Sequence, residues 1–363
     1  MLDRRHFMVT AAATASSLPA MAQSTAVAAS GAASGAASGA ASGAADQAGW
    51  KDGLAHPIPY TPALGTGKQR ALVLGGGGAY LASWMVGYFN ALKAHGIDAA
   101  KADIVVGTSA GSFVGAVLTG GHLWSFHGKL AVLGDFPKLF AHLVPTTAPN
   151  PSQIRARHLA NSASEASTAV IQEIGRAAMA ARNPAGPSEY FTTVKRLIGE
   201  VAWPSAKLHT TAVDCYTGER VIVSQGSNIP VNHACAASSS LPGSMGPTWL
   251  GNRLCMDGGI SQSSTHADVV AGAKKVLIVS LTDGGPQWLK VGLRASGLPN
   301  TLQQEIKALE AGGAEVKLRV AGLLPGVSAI DSIMDPKYIA PCLHEGYRRG
   351  LADVAEMKSF WNG

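Results

Sequence analysis

Charge, aromatic residues and long apolar runs are all scarce in this sequence of 363 residues. Charged residues make up 14% and aromatic residues 6%, whereas hydrophobic residues make up 47%. So little charge excludes an intrinsically disordered chain, and without a long heptad run it disfavours a coiled coil. No segment after the N-terminal region offers the roughly 20 uninterrupted apolar residues that a transmembrane helix needs. The length suits one large α/β domain or two small domains.

Cysteine is scarce as well, and the excess of basic residues is small. Cys215, Cys235, Cys255 and Cys342 form no Cys-x-x-Cys pair, which disfavours a zinc site and thioredoxin chemistry. The sequence leaves two alternatives open for them, namely buried thiols and one disulfide. The formal net charge is +6, and the sequence has neither an RNA-binding aromatic motif nor zinc-finger spacing. We therefore expect no nucleic-acid partner, whereas the mild basic charge permits attraction to anionic lipid.

The first 22 residues are typical of a cleaved export signal. Arg4 and Arg5 are followed by Phe7, which resembles a twin-arginine signal, although Asp3 stands where such signals often carry Ser or Thr. An Ala-rich apolar run and an Ala-x-Ala site follow. The alternative is an N-terminal membrane anchor, but the run is short and holds Thr and Ser. We predict that residues 1–22 are removed and that the protein is exported to the periplasm or secreted.

Small residues dominate the stretch after this signal. Ser-Gly-Ala-Ala occurs four times between Ser30 and Ala45, and a run without large side chains cannot form a hydrophobic core. A polyalanine helix is disfavoured because every repeat contains Gly. We predict a flexible linker over residues 23–69 and a folded domain over residues 70–363.

Predicted strands and helices alternate in this domain. The apolar runs Ala71–Leu74 and Ile104–Val106 end in glycine and predict buried strands, each followed by a segment with helical spacing. The other predicted strands are residues 208–213, 220–224, 275–281 and about 315–320, and the other predicted helices are residues 152–182, 301–311 and from about 336 to the end. The strands on either side of Cys215–Glu219 predict a hairpin. This order predicts an α/β fold with a mostly parallel sheet and helices on both faces.

The pentapeptide Gly107-Thr108-Ser109-Ala110-Gly111 has the pattern Gly-x-Ser-x-Gly and lies between a predicted strand and a predicted helix. A serine on such a turn is raised out of the sheet, and the flanking glycines remove side chains that would clash in the bend. The following helix directs its free N–H groups and the positive end of its dipole towards the site, where they stabilise negative charge. This context favours a nucleophilic Ser109 over a purely structural turn.

Four consecutive glycines, Gly75, Gly76, Gly77 and Gly78, follow the first predicted strand and are called the glycine loop below. Consecutive glycines allow several backbone N–H groups to converge on one anion. Acyl transfer needs such donors for its tetrahedral oxyanion. The loop therefore predicts an oxyanion-binding site.

A dinucleotide-binding loop is the alternative interpretation of these glycines. The Gly-x-Gly-x-x-Gly motif also follows a strand, and Asp98 lies at a suitable distance along the chain to bind a ribose. In either register, however, the third glycine is missing, because Tyr80 and Leu81 occupy its two places. The alternative is weakened but stays open.

Asp257-Gly258-Gly259 is the third chemical motif. An Asp on a tight glycine turn can direct its carboxylate at Ser109 and act as general base without an intervening His. An ordinary Asx turn is the structural alternative. Because the chain also contains Gly-x-Ser-x-Gly and the glycine loop, we favour the catalytic interpretation.

In this order, the glycine loop, Gly-x-Ser-x-Gly and Asp-Gly-Gly resemble the motifs of the patatin-like phospholipase family. Two further stretches are similar to the family's pattern, Thr210–Glu219 and Ala237–Gly243. The resemblance covers about residues 70–285, with a weaker similarity near Met334–Pro336. Each motif alone is modest, but five in the family's order are specific.

The resemblance implies a three-layer α/β/α fold and a lipid acyl hydrolase of the phospholipase A or esterase type. It implies that Asp257 takes the proton of Ser109 and that an acyl-enzyme forms. The oxyanion would be held by the N–H groups of Gly76, Gly77, Gly78 and Ala110. The domain core would span residues 70–285, and residues 121–204, which contain several aromatic side chains, would form a helical cap over the site.

The resemblance also bears on ligands and partners. No metal-ligand cluster occurs in the sequence, and a serine mechanism requires no metal or cofactor, although calcium on a surface loop stays open. The expected substrate is a lipid or another acyl ester, and peripheral contact with a membrane is a further expectation.

The glycine loop departs from the family's pattern at one place. The family usually continues with a basic residue and another Gly, where this chain has Tyr80 and Leu81. The backbone donors do not depend on these side chains, but the conformation of the loop and its affinity for a negatively charged head group do. We expect a shift of preference from phospholipids towards neutral esters.

The sequence also permits a different mechanism and two different functions. A Ser-His-Asp triad is the nearest alternative mechanism, because His266 and His344 both follow Asp257. We expect His266 to cap a turn or to face solvent, so neither histidine is favoured as the base. A non-catalytic lipid-binding module is the alternative to an enzyme, and Tyr80 and Leu81 are the features that favour it. An exported dinucleotide-binding protein is the remaining alternative.

Overall fold

The structure is a computed structural model that describes residue 58 and residues 62–136, 138–139, 149–181, 186–294 and 296–363. The predicted export signal and most of the predicted linker lie outside these residues, as do parts of the predicted helical cap. The end of the predicted linker is described and is hydrogen-bonded to the domain. Leu64 N–H donates to Val269 O at 3.0 Å, and Lys274 N–H donates to Lys68 O at 3.1 Å.

One mixed sheet of eight strands runs through the described residues. Its strands are β1 Arg70–Leu74, β2 Ile104–Thr108, β3 Leu208–Asp214, β4 Arg220–Ser224, β5 Thr248–Leu250, β6 Arg253–Asp257, β7 Lys275–Ser280 and β8 Glu315–Val320. Their order is β5-β6-β3-β2-β1-β7-β8, and β4 also pairs with β3. Strands β3, β2, β1, β7 and β8 pair in parallel, whereas β4, β5 and β6 form antiparallel pairs.

Helices connect these strands. The α-helices described are α1 Gly78–Ala94, α2 Ala110–Thr119, α3 Leu123–Asp135, α4 Pro151–Ser162, α5 Thr168–Ala180, α6 Gly186–Ile198, α7 Val231–Ser238, α8 Gln287–Lys290, α9 Leu302–Ala311 and α10 Ile339–Asn362. Short 3₁₀ turns are formed by Ala99–Lys101, Gln225–Ser227, Ala267–Val270 and Pro336–Tyr338. Within the part of the chain that the structure describes, no helix is long and apolar enough to cross a membrane.

Alternate residues of β1 pack into two hydrophobic clusters, one on each face of the sheet. Leu72 and Leu74 join a cluster with residues of α1, α2 and α10, whereas Ala71 and Val73 join a cluster with residues of β7 and α9. Successive side chains of a strand point to opposite faces, so a strand buried on both faces needs a continuous apolar run. The structure therefore has three layers, and the predicted α/β fold class is confirmed.

Most predicted elements agree with the structure, and the differences have local causes. The helix predicted over residues 152–182 is two helices, because the Ser167 hydroxyl accepts the Val170 N–H and begins a new one. The first helix begins at Gly78, the last residue of the glycine loop. Strands β5 and β6 and helix α7 were not predicted, since such short segments show little periodicity.

All four cysteines are free and buried, which decides between the two alternatives that the sequence left open. Burial raises the pKa of Cys215 and of Cys235 to about 12. These thiols therefore stay protonated at neutral pH and are poor nucleophiles. The cysteines are small packing residues.

Helices α1 and α10 lie in close contact because glycines face the partner helix. A Cβ at Gly346 of α10 would lie 2.0 Å from Trp84 O of α1, and a Cβ at Gly87 of α1 would lie 2.1 Å from Leu343 O of α10. Only a residue without a side chain permits such an approach. Because α1 begins at the glycine loop, this contact also supports the loop.

Gly346→Ala is expected to destabilise the protein by about 1–3 kcal/mol, because the added methyl group would overpack the contact with Trp84. Gly128→Ala on α3 is the matched control, since nothing lies within 4 Å of a Cβ there. In that place Ala should stabilise the protein by about 0.5–1 kcal/mol. Midpoints of urea-induced unfolding, followed by circular dichroism, measure both changes. Equal midpoints for the two variants would contradict this explanation of the contact.

Candidate active site

Ser109, the glycine loop and Asp257 meet at one edge of the sheet. Because β1 and β2 are adjacent and parallel, the glycine loop after β1 and Ser109 after β2 lie at the same carboxyl edge. Thr108 of β2 pairs with Thr211 of β3, and the next residue, Ala212, pairs with Asp257 of β6. The register of three strands thus brings the two predicted catalytic side chains together.

Ser109 lies on a sharp turn between β2 and α2. Its φ of 50° lies in a region that residues with a side chain rarely adopt. The flanking glycines are required by close contacts, since a Cβ at Gly111 would lie 2.0 Å from Leu74 O and a Cβ at Gly107 would lie 2.5 Å from Gly111 O. Gly111 N–H also donates to Gly75 O at 3.1 Å, which joins this turn to the glycine loop. The turn has the geometry that Gly-x-Ser-x-Gly predicts.

The Asp257 carboxyl is buried beside Ser109, with only 2% of the residue exposed. Oδ1 accepts the Gly259 N–H at 2.7 Å, whereas Oδ2 forms no hydrogen bond of ordinary length with any described residue. Burial raises the pKa of Asp257 from 3.8 to about 7, and the hydrogen bond from Gly259 and the nearby Ser109 hydroxyl oppose this rise only in part. A carboxyl with this pKa is suited to proton transfer at neutral pH.

Ser238 at the end of α7 holds both turns in place. Its hydroxyl accepts the Ser109 N–H at 2.8 Å, and its carbonyl accepts the Gly258 N–H at 3.2 Å. It lies in the stretch Ala237–Gly243 that resembles the family's pattern, but we did not single it out from the sequence. Nothing in that pattern indicates a contact with two turns that are distant along the chain.

The four N–H groups predicted to hold an oxyanion are not all free. Gly76 N–H donates to Ser264 O at 2.9 Å. It is therefore not available to an oxyanion, and this part of the prediction is corrected. Among the described residues, no hydrogen-bond partner is found for the N–H groups of Gly77, Gly78 and Ala110. These three donors remain candidates.

Tyr80 and Leu81, which depart from the family's pattern, are both buried. The Tyr80 hydroxyl donates to Gly322 O and accepts the Leu324 N–H, both at 2.9 Å. Leu81 N–H donates to Gly77 O at 3.0 Å, within the first turn of α1. Tyr80 thus joins the start of α1 to the segment after β8, and the N–H groups of Gly77 and Gly78 have no partner among the described residues.

Two cavities of different polarity meet at Ser109. The first, called the polar cleft, has about 610 Å³ of empty space and is lined by Gly76–Gly78 of the glycine loop and by Asp257. Its polar side chains are those of Ser261, Ser264, Thr282, Arg294, Ser296 and Asn300. The second, called the apolar cavity, has about 820 Å³ and is lined by Phe113, Phe126, Leu130, Leu133, Tyr190, Leu197, Met245 and Met334. Several of these belong to the predicted helical cap.

Neither histidine of the alternative triad is placed to act on Ser109. His266 is only 2% exposed, with Nε2 2.8 Å from Gly258 O and Nδ1 3.4 Å from Arg220 Nη1. Of the two expectations for His266, exposure to solvent is wrong, whereas the contact with Gly258 O is a cap on the Asp257 turn. His344 is exposed on α10 and lines neither cavity.

Asp98 is not placed to bind a ribose beside the glycine loop. It precedes β2 and accepts the Ala100 N–H at the start of a 3₁₀ turn. The glycine loop follows β1, which is parallel to β2, so the two features lie at opposite ends of the strands. The structure thus removes the residue that kept the dinucleotide-binding alternative open.

Comparison with known proteins identifies one family. The family model described as patatin-like phospholipase matches residues 72–270. VipD from Legionella pneumophila is a similar solved structure, with 12% identity, a TM-score of 0.38, and coverage of 80% of this chain and 67% of VipD. The type III effector ExoU is similar at 16% identity and a TM-score of 0.36, over 83% of this chain and 54% of ExoU, so this chain spans about half of that protein. A search of the curated proteins found no match.

Asp257→Asn should stabilise the protein above about pH 7 and have little effect near pH 4. The folded protein holds the Asp257 proton up to a pKa of about 7, whereas the unfolded chain releases it near 3.8. Between these values the unfolded state binds fewer protons, so this group's contribution to stability is lost as the pH rises through that window. The full difference corresponds to at most about 4 kcal/mol.

Urea-induced unfolding of wild type and Asp257→Asn at about pH 4.5 and about pH 8.5 measures this effect. Asp331→Asn serves as the control, because the Asp331 side chain is exposed and its substitution should have the same small effect at both values. A pH-independent effect of Asp257→Asn would contradict a buried, ionisable carboxyl at this position.

Proposed function

Because the chain belongs to the patatin-like phospholipase family, we propose that it is a lipid acyl hydrolase with a Ser109–Asp257 dyad. Membership of the family supports lipid hydrolysis in general. The observation that carries the dyad is the buried Asp257 Oδ2, which lacks a partner of ordinary hydrogen-bond length and lies beside a serine on a strained turn. Buried polar atoms without a partner are rare in native proteins, and a catalytic role is one explanation for them.

The proposed reaction has two steps and an acyl-enzyme between them. Ser109 Oγ attacks the ester carbonyl carbon while its proton passes to Asp257 Oδ2. The carbonyl oxygen becomes an oxyanion, and the C–O bond to the alcohol then breaks as Asp257 returns the proton to the leaving oxygen. Water gives a proton to Asp257 and attacks the acyl-serine carbonyl. The C–O bond to Ser109 then breaks as Asp257 returns this proton to Ser109 Oγ, which releases the fatty acid and regenerates both residues.

Backbone donors stabilise the charge in this scheme. The oxyanion is held by the N–H groups of Gly77, Gly78 and Ala110, which belong to the starts of α1 and α2. These donors are in place before the reaction, so no reorganisation is needed when the charge develops. The positive ends of the two helix dipoles add to the same effect.

The two cavities suit different parts of an ester substrate. We assign the acyl chain to the apolar cavity, because its lining is mostly hydrophobic, and the alcohol half to the polar cleft. Ser109 lines both cavities, so an ester placed across it presents its carbonyl carbon to Oγ. This assignment fits a substrate with one long apolar part and one polar part.

Arg294 gives the polar cleft a positive charge. Its guanidinium donates to Leu298 O, burial lowers its pKa, and no carboxylate pairs with it among the residues that the structure describes. A half-buried cation without an acidic partner favours an anionic ligand. From Tyr80 and Leu81 we expected neutral esters, and Arg294 changes that expectation towards an alcohol half with a negative charge.

Two other predictions from the sequence are retained as proposals. Export through residues 1–22 rests on the signal pattern, and peripheral contact with a membrane rests on the lipid substrate. Cell fractionation of the full chain tests both, with Arg4→Lys combined with Arg5→Lys as the variant that should block a twin-arginine route.

Ser109→Ala should lower kcat for a soluble p-nitrophenyl ester by at least about 10³-fold, because the nucleophile is removed. Asp257→Asn should lower kcat by about 10²–10⁴-fold through loss of the general base. In wild type, kcat/KM should rise with pH and level off above about 7, because only the ionised Asp257 accepts a proton. Spectrophotometric assays across this range measure all three.

Labelling with a fluorophosphonate probe distinguishes an active serine hydrolase from a non-catalytic lipid-binding module. Labelling of Ser109, located by peptide mass spectrometry and absent in Ser109→Ala, is the expected result. Wild-type protein that is folded and binds lipid vesicles, but is neither labelled nor active on esters, would refute the proposal and favour the non-catalytic lipid-binding module.

Arg294→Gln should lower kcat/KM for phosphatidylglycerol by about tenfold or more, because a charge-assisted hydrogen bond to the phosphate is lost. For diacylglycerol of the same chain length the change should be small, since its alcohol half is uncharged. Rates of fatty-acid release from mixed micelles measure both. An equal loss on the two lipids would show that Arg294 shapes the cleft without selecting charge.

A further inference from the structure

His266 is buried behind the Asp257 turn and bridges it to the neighbouring strand β4. Its Nε2 lies 2.8 Å from Gly258 O, and its Nδ1 lies 3.4 Å from Arg220 Nη1. A carbonyl oxygen only accepts hydrogen bonds and a guanidinium only donates them. The neutral tautomer with the proton on Nε2 satisfies both contacts, so the ring donates to Gly258 and accepts from Arg220.

The carbonyl that His266 contacts belongs to the same peptide unit as the N–H that Asp257 accepts. Gly258 C=O and Gly259 N–H are the two ends of one planar group. Holding the oxygen therefore also fixes the direction of the N–H, which donates to Asp257 Oδ1 at 2.7 Å. Hydrogen bonds in such a chain also polarise one another. The chain runs from the imidazole through one peptide unit to the carboxylate.

We propose that His266 is a positioning residue that orients the Asp257 carboxyl through the Gly258–Gly259 peptide. The inference rests on the proposed dyad. With Oδ1 held by Gly259 N–H, rotation of the carboxyl is restricted and Oδ2 stays directed away from that bond. His266 itself does not take the serine proton, because both of its ring nitrogens have partners in the turn and in β4.

The imidazole is held firmly enough for this task. His266 N–H donates to Ser263 Oγ at 2.7 Å, and the next residue, Ala267, donates its N–H to Glu305 Oε2 at 2.8 Å. Arg220 is in turn paired with Asp268 at 2.7 Å. The backbone of His266 has a φ of 55°, an unfavourable value that the surrounding contacts maintain.

The charges around the ring keep it neutral. Arg220 on β4 opposes a second proton on the imidazole, whereas Glu305 on α9 and Asp268 on the adjacent 3₁₀ turn favour one. Burial and Arg220 prevail, and the pKa of His266 is lowered. The ring therefore stays neutral at neutral pH and does not add a titration of its own near the pKa of Asp257.

Two substitutions separate hydrogen bonding from packing. His266→Gln places an amide N–H near the former Nε2 and an oxygen that can accept from Arg220, whereas His266→Met fills similar space without a donor. In His266→Met, kcat on the soluble ester should fall by about 10–100-fold with KM little changed, because a misplaced base slows only the chemical step. His266→Gln should recover most of this loss.

The pH profile supplies a readout that packing alone would not move. A weaker Gly259 hydrogen bond raises the pKa of Asp257, because that bond favours the ionised form. The midpoint of kcat/KM against pH should therefore rise in His266→Met by about 0.5–1 unit, the equivalent of one ordinary hydrogen bond. An unchanged kcat and midpoint in folded His266→Met, or a His266→Gln variant no better than Met, would overturn the proposal.

A measurement that does not depend on enzyme activity tests the role of His266 independently of the proposed dyad. The pKa of Asp257 is followed by ¹³C NMR of aspartate-labelled protein, with its signal assigned by its loss in Asp257→Asn. Wild type that is inactive and unlabelled by fluorophosphonate would refute the dyad, while the pKa difference between wild type and His266→Met would still test the peptide link. If the Met variant does not fold, His266→Asn replaces it, because Asn tolerates the positive φ and is too short to reach Gly258.

Discussion

The close approach of α2 to β1 is the constraint on which the rest of the site depends. Because Gly111 has no side chain, its backbone lies against Leu74 O and its N–H donates to Gly75 O. This contact joins the start of α2 to the glycine loop and forces Ser109 into a positive φ. Among the described residues, the N–H groups of Gly78 and Ala110, which begin α1 and α2, have no hydrogen-bond partner and lie at this edge of the sheet.

Burial of Asp257 acts in opposite directions on stability and on the proposed chemistry. The environment that raises its pKa to about 7 makes the ionised form unfavourable in the folded protein. The same environment makes the carboxylate a stronger base towards a serine hydroxyl than an exposed aspartate would be. Such local instability persists only where the surrounding structure maintains it, here through Ser238 and the peptide held by His266.

The three chemical motifs were predictable because each has a local physical signature. The glycines at 107 and 111 flank a serine after an apolar run, and Asp257 precedes two glycines. Hydrogen-bond partners were less predictable, since they come from remote backbone groups. Gly76 was predicted as an oxyanion donor, but Ser264 O, nearly two hundred residues further along the chain, takes its N–H. Ser238 was overlooked for the same reason.

The sequence alone determined six of the eight described strands, the buried character of the central strands and the identity of the three motifs, because hydrophobic periodicity and glycine spacing are local properties. Tertiary structure alone decided which N–H groups are free, that the cysteines are unpaired, and that His266 is buried behind the Asp257 turn. These outcomes depend on strand register and on contacts between distant segments. A register shift of one residue would leave every motif in the sequence unchanged and would separate Asp257 from Ser109, because side chains alternate between the faces of a sheet.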